Sequence, residues 1–409
     1  MTKPAHAPMT QFSVVDDCLQ IGGLSLTELA RRIGRTPFYA YDRGLIRRRV
    51  ELLRKHLPAA VHLHYAMKAN PMPAVVEHLA GLVDGLDVAS AGELRVALAA
   101  GAQASAISFA GPGKTDAELA EAVTAGIVVN LESEGEMERI ATIGRERKLR
   151  PLVAVRVNPD FELKSSGMKM SGGPKQFGVD AERVPAMLAR IGQLGLDFRG
   201  FHIFSGSQNL RADAIKEAQE KTIELAAKLA EHAPSPVRVL NVGGGFGIPY
   251  FVGELELDLA SVGTNLARLM GGMKGPLSQA RVVVELGRYL VGEAGLYVCR
   301  VIDRKISRGQ VFLITDGGLH HHLSASGNFG QVIRKNYPVA VGNRVVGSKR
   351  EIASVVGPLC TPLDLLADGM ELAEARVGDL IAVFQSGAYG LTASPTAFLS
   401  HPAPAEVLV

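Results

Sequence analysis

His62-Leu63-His64-Tyr65-Ala66-Met67-Lys68-Ala69-Asn70-Pro71 is a short β-rich run that ends on a lysine, and the amphipathic stretch 73–82 follows it. Apolar residues in that stretch recur at spacings of three and four, which marks a helix buried along one face. The same unit recurs down the chain. Residues 85–89, 106–110, 127–131, 152–158, 198–204, 237–242 and 281–285 read as strands, and 91–100, 116–124, 134–144 and 212–232 as helices between them. Eight strand–helix units predict an α/β fold built on a parallel (β/α)8 TIM-type barrel. An open doubly wound sheet is the competing arrangement; it rarely needs eight regular units and more often carries a first-turn GxGxxG. In a barrel the strand ends point at one face, where catalytic groups sit.

After about Gly292 the pattern changes. Residues 295–302, 310–315, 344–356 and 379–384 read as strands with little helix between them, a mostly antiparallel β domain. Residues 12–15 and 18–21 read as a hairpin that joins it. The expected division is an N-terminal segment, 1–35, packed with the β domain, a barrel over 36–291, and the β domain over 292–409. The stretch 161–179, rich in Gly, Lys and Ser, reads as a mobile loop near the site.

Composition narrows the class. Of 409 residues, 47% are hydrophobic and 21% charged, as in a globular enzyme, and the net charge of +3 is spread without basic blocks. Neither nucleic acid nor a membrane surface is an expected partner. No apolar run approaches the roughly 18–20 residues of a membrane span. Residues 1–10 lack the apolar core of a secretory signal. Cys18, Cys299 and Cys360 are far apart, which suggests reduced thiols in a cytoplasmic protein.

Three places carry chemistry. Lys68 closes the first strand behind an apolar run, where partial desolvation lowers an amine's pKa and suits it to Schiff-base formation; a plain surface lysine is the alternative. Gly243-Gly244-Gly245 follows the seventh strand, where backbone N–H groups can close around a phosphate; otherwise it is a tight turn. Glu285-Leu286-Gly287-Arg288 ends the eighth, so the acid could pair with a ring nitrogen and the arginine with a phosphate or carboxylate. A salt bridge within the loop is the plainer reading.

With YAMKAN (65–70), DVASAGEL (87–94), RVNP (156–159), FSGSQ (204–208), GGGFG (243–247), ELGR (285–288), DGG (316–318), GPLC (357–360) and GAY (387–389) in this order, the chain resembles the barrel-type decarboxylases that depend on pyridoxal phosphate. Diaminopimelate and ornithine decarboxylases are familiar members, and the fold is like that of alanine racemase. The resemblance spans about 36–395 and is closest to a subgroup associated with exosortase A systems. It implies pyridoxal 5'-phosphate as cofactor, held covalently by Lys68. It implies Gly243, Gly244, Gly245, Ser207 and Arg288 around the phosphate, with Tyr389 near phosphate and substrate. Glu285 would meet the pyridine nitrogen, with Asp87 and Phe204 also at the cofactor. Cys360 would come from the second subunit of a homodimer and protonate the carbanion. Arg288, Cys360, Thr361 and Tyr389 are then the candidate substrate contacts.

The departures are informative. Phe204 stands where the family usually stacks a histidine, and His202 lies two residues earlier. Phe can stack but cannot donate a proton. ELGR replaces EPGR. Thr361 stands where relatives place an acid for the distal ammonium, and Ser324 where diaminopimelate enzymes place an arginine for the distal carboxylate. The expected substrate is therefore an amino acid or derivative other than free diaminopimelate, such as a carrier-protein-linked one. His320-His321-His322 cannot all ligate one ion from a regular strand, so no metal is expected; one of them could line a substrate pocket. The alternatives are a racemase, which the acid at the ring nitrogen argues against, and a non-catalytic cofactor-binding protein, which lacks a C-terminal β domain.

Overall fold

A computed structural model of the chain describes residues 6–161, 168–169, 173–329, 331 and 334–409. They form two compact units. One, Arg49–Gly247 with Leu257–Gly287, holds the barrel. Its strands are β1 (His62–Ala66), β2 (Gly85–Val88), β3 (Ile107–Phe109), β4 (Val128–Leu131), β5 (Leu152–Asn158), β6 (Asp197–Ile203), β7 (Val239–Gly244) and β8 (Arg281–Leu286). Each pairs in parallel with the next, and β8 returns to β1 with Val283 opposite His62 and Leu286 opposite Tyr65. That last pairing closes the sheet and excludes the open arrangement.

Local chemistry starts the helices where the sequence places them. Ser90 and Ser133 accept the backbone N–H of Glu93 and Glu136, and Thr115 with Glu118 forms a reciprocal cap. Such caps satisfy N–H groups that a helix start leaves open. The apolar faces, including Leu94, Leu119, Met137 and Ile140, are buried. Strand β7 begins and ends two residues later than expected, so Gly243 and Gly244 belong to it. Gly200 lets β6 approach β7: a Cβ there would lie 1.8 Å from the Val239 carbonyl oxygen.

The other unit comprises Met1–Arg48, Ile248–Glu256 and Arg288–Val409. Its spine is the long strand Gly295–Ser307. One half pairs antiparallel with Phe38–Tyr41 and Leu380–Val383, the other with Gln310–Thr315. Two pairings are parallel: Gln310–Thr315 with Arg350–Val356, and Ala405–Leu408 with Phe38–Tyr41. The expected strand 344–356 is shortened to Arg350–Val356, and Leu365–Ala373 is an additional strand beside it. The N-terminal hairpin pairs Val14–Val15 with Cys18–Ile21 and gains Leu24–Ser25 as a third strand. Phe12, Leu19, Leu26 and Leu29 share a buried core with Phe38, Leu296, Val298 and Phe384.

Of the loop expected to be mobile, 161–179, residues 162–167 and 170–172 lie outside the described residues. Met168–Lys169, within it, pairs with Gly206–Ser207. Part of the polar 318–337 segment also falls outside them.

Candidate active site

At the C-terminal end of β1 the chain tightens into a single 3-10 turn, Met67–Ala69. Lys68 is thus just beyond the strand. It is exposed, whereas Met67 and Ala69 are buried. The expectation of a lysine partly desolvated at its strand end is corrected to this extent: Lys68 lies in the turn, not the strand, and is exposed. Its charge is felt by two carboxylates. Burial pushes Glu93 up, while the Ala89 N–H and Lys68 pull it back. The second is Glu285.

Glu285 ends the inward face of β8 and is buried. Burial alone would raise its pKa, but His202, Lys68 and Arg156 outweigh it and hold the carboxyl far below the usual carboxylate range. Its Oε2 lies 3.0 Å from His202 Nε2 and accepts from Asn241 Nδ2 at 3.3 Å. Asn241 in turn accepts the Gly243 N–H at 2.8 Å. On the neighbouring strands β1 and β2, where His64 is opposite Glu285 in the β8–β1 ladder, Asp87 Oδ1 meets His64 Nδ1 at 3.2 Å and accepts from Ser108 Oγ at 2.5 Å. Burial lowers the His64 pKa, but Asp87 and Glu285 more than offset it, and the net shift is upward. Asp87 Oδ2 is buried and has no hydrogen-bond partner among the described residues.

The glycine triplet cannot carry side chains. A Cβ on Gly244 would lie 2.2 Å from the Glu285 carbonyl oxygen, and one on Gly245 2.1 Å from that of Gly206. Gly243 and Gly245 both have φ +69°. Gly243 backs against Phe204, whose Cδ2 would be 2.9 Å from an added Cβ. The triplet, Ser207 and half-buried Phe204 thus share one end of the barrel, with backbone in close reach of a ligand.

Arg288 and Tyr389 belong to the other unit, as do Cys360 and Thr361. Arg288 Nη1 donates to Tyr250 Oη at 2.7 Å, and its guanidinium lies over the rings of Tyr389 and Tyr250 at 4.8 and 5.7 Å. Burial lowers its pKa, but these tyrosines and Tyr337 raise it further. Tyr389 has φ +53° and offers its carbonyl to Ser324 Oγ at 2.8 Å. Cys360 is exposed. Thr361 Oγ1 accepts the Leu363 N–H at 3.3 Å. The three histidines lie on a turn rather than a strand, with the His321 and His322 N–H groups both on the Gly318 carbonyl, and all three are buried. His322 Nε2 lies 2.9 Å from Ser386 Oγ and its Nδ1 accepts the Ala325 N–H, so this ring faces protein on both edges.

The sequence reading missed Asn241, His64, Ser108 and Tyr250. Asn241 had a signal: two positions before Gly243 on a strand, it faces the same way. Tyr250 had none, because only folding brings the loop after the glycines to Arg288.

A family model described as "Pyridoxal-dependent decarboxylase, pyridoxal binding domain" matches residues 43–292. An L-glutamyl-[BtrI acyl-carrier protein] decarboxylase from Niallia circulans is 38% identical over 94% of this chain and 90% of its own length. A diaminopimelate decarboxylase from Aquifex aeolicus is 34% identical, covering 96% and 91%. The crystal structure of diaminopimelate decarboxylase from M. jannaschii superposes with a TM-score of 0.88 at 26% identity, over 98% of this chain and 93% of that one.

Proposed function

The chain belongs to the pyridoxal-dependent decarboxylases, and from that premise we propose that it takes the α-carboxylate from an amino acid whose far end is uncharged or masked by attachment to a carrier protein. Pyridoxal phosphate is its cofactor, and when bound it supplies the sink for the electron pair left as CO2 departs. The residues present fit that group. A glycine cradle that a Cβ would fill, an orphaned Asp87 oxygen and a strongly acidic Glu285 surround one end of the barrel.

In this reading Lys68 holds the cofactor. The N–H groups of Gly243–Gly245, with Ser207, Arg288 and Tyr389, hold its phosphate. Phe204 stacks on the ring, Asp87 lies beside it, and Glu285 faces the ring nitrogen. The protein's share is orientation and charge. Cys360 of a second copy delivers a proton to the substrate Cα, which makes the working unit a homodimer.

The observation that carries the substrate reading is what Ser324 and Thr361 do. Ser324 is buried and spent on the Tyr389 carbonyl, and Thr361 is spent on Leu363. Neither offers a charge to a substrate tail. Burying an ammonium or carboxylate there unpaired costs roughly 2–5 kcal/mol. The Niallia circulans relative, named for a carrier-linked glutamyl substrate, supports the same reading. The test compares turnover on meso-diaminopimelate, free lysine, ornithine and glutamate, and carrier-linked amino acids. A carrier-linked substrate should be preferred. Efficient CO2 release from meso-diaminopimelate, with kcat/KM of about 10⁴ M⁻¹s⁻¹ or more, would overturn the reading.

A further inference from the structure

His202 is buried on the inward face of β6, and its Nε2 lies 3.0 Å from Glu285 Oε2. Neither ring nitrogen makes an aligned hydrogen bond among the described residues. Asn241, on β7, donates to the same oxygen, and its orientation is fixed because its own carbonyl accepts the Gly243 N–H. Two residues from neighbouring strands thus converge on Oε2, and neither bonds Oε1. A carboxylate gripped through one oxygen cannot rotate, and it presents the other in a set direction.

We infer that His202 is a positioning residue: with Asn241 it clamps Oε2 so that Glu285 offers Oε1 to the cofactor's ring nitrogen. The inference rests on the role proposed for Glu285. The bent Nε2 contact straightens into a hydrogen bond when the ring is in place, as contacts in unliganded sites often do. The other charges acting on this carboxylate are Lys68 and Arg156, and the His64–Asp87 pair lies on the next two strands, with His64 opposite Glu285 in the β8–β1 ladder. Phe204 makes the arrangement matter more, because a stacked phenyl ring can hold no proton for the cofactor.

The test uses the holoenzyme and a double-mutant cycle. His202→Phe removes the donor and His202→Gln keeps a neutral one of similar reach. His202→Phe should lose about 10- to 100-fold in kcat with KM little changed, and His202→Gln should recover most of it. On a Glu285→Gln background, itself low in turnover, His202→Phe should cost nothing more, because the carboxylate it orients is gone. With cofactor labelled at the ring nitrogen with ¹⁵N, the nitrogen resonance of His202→Phe should move toward the unprotonated position, a readout independent of turnover. Equal losses on both backgrounds, an unshifted resonance, or a His202→Phe enzyme as fast as wild type would each overturn the inference. Near-normal turnover of Glu285→Gln alone would instead remove the role of Glu285 and the inference with it.

Discussion

At the scale of single residues the site is a set of charges placed by strand ends. Lys68 illustrates how narrowly this is set. One residue, Met67, separates the last position of β1 from Lys68, which lies exposed in the turn. A second lysine, Lys114, is buried and committed to Glu136, Gly111 and Asn130. The two are therefore chemically distinct, although both lie in loops after barrel strands. Borohydride reduction of the holoenzyme should fix the cofactor label on Lys68, and peptide mapping should find it nowhere else. A labelled peptide containing Lys114 or any other lysine would refute the assignment.

At the scale of elements, the turn 318–322 and the loop 357–364 are tied by one carboxylate. Asp364 accepts the Leu319 N–H at 2.6 Å and the Leu359 N–H at 2.8 Å. A Cβ on Gly318 or Gly357 would collide with its oxygens. The histidines on this turn sit in a poor place for charge. Burial pushes His320 and His321 down to about 4 and His322 to about 3. Folded pKa values below the unfolded one near 6.5 mean that the unfolded chain binds more protons as the pH falls. The stability these rings allow is therefore full above about pH 6.5 and is lost toward pH 4 to 3. Among the described residues His320 has no hydrogen-bond partner at either nitrogen, so His320→Leu should leave the neutral-pH Tm about unchanged. Between pH 7 and 5 it should lose less Tm than wild type does, by a few degrees, equivalent to about 1 kcal/mol. Identical pH slopes in calorimetry would show that this ring is not strained by protonation.

At the scale of the whole molecule, the role proposed for Cys360 makes each site depend on a second copy of the chain. Cys360 is exposed within its own chain, as a residue serving a second copy would be. Lys68→Ala and Cys360→Ala should each be inactive alone. Mixed and allowed to exchange, half of the dimers are hybrids with one intact site, so roughly a quarter of wild-type activity should return. No recovery after exchange is verified by mass would argue for sites complete within one chain.

What the sequence determined by itself was whatever is written at short range. Strand and helix periods, and a lysine, a glycine triplet and an acid at strand ends, all follow from neighbours within about four residues. That was enough for the closed barrel, because eight regular units leave few other arrangements. The tertiary structure alone decided which side chains meet. His202 and Asn241 share Glu285 Oε2 only because β6, β7 and β8 are adjacent in parallel register. Strands such as Phe38–Tyr41 and Ala405–Leu408, at opposite ends of the chain, become partners only when the sheet assembles. Ser324 stands where diaminopimelate enzymes place an arginine, and only folding brings its hydroxyl to the Tyr389 carbonyl. The reason is common to all three: a hydrogen bond depends on angstroms between segments, and no periodicity in the chain encodes that distance.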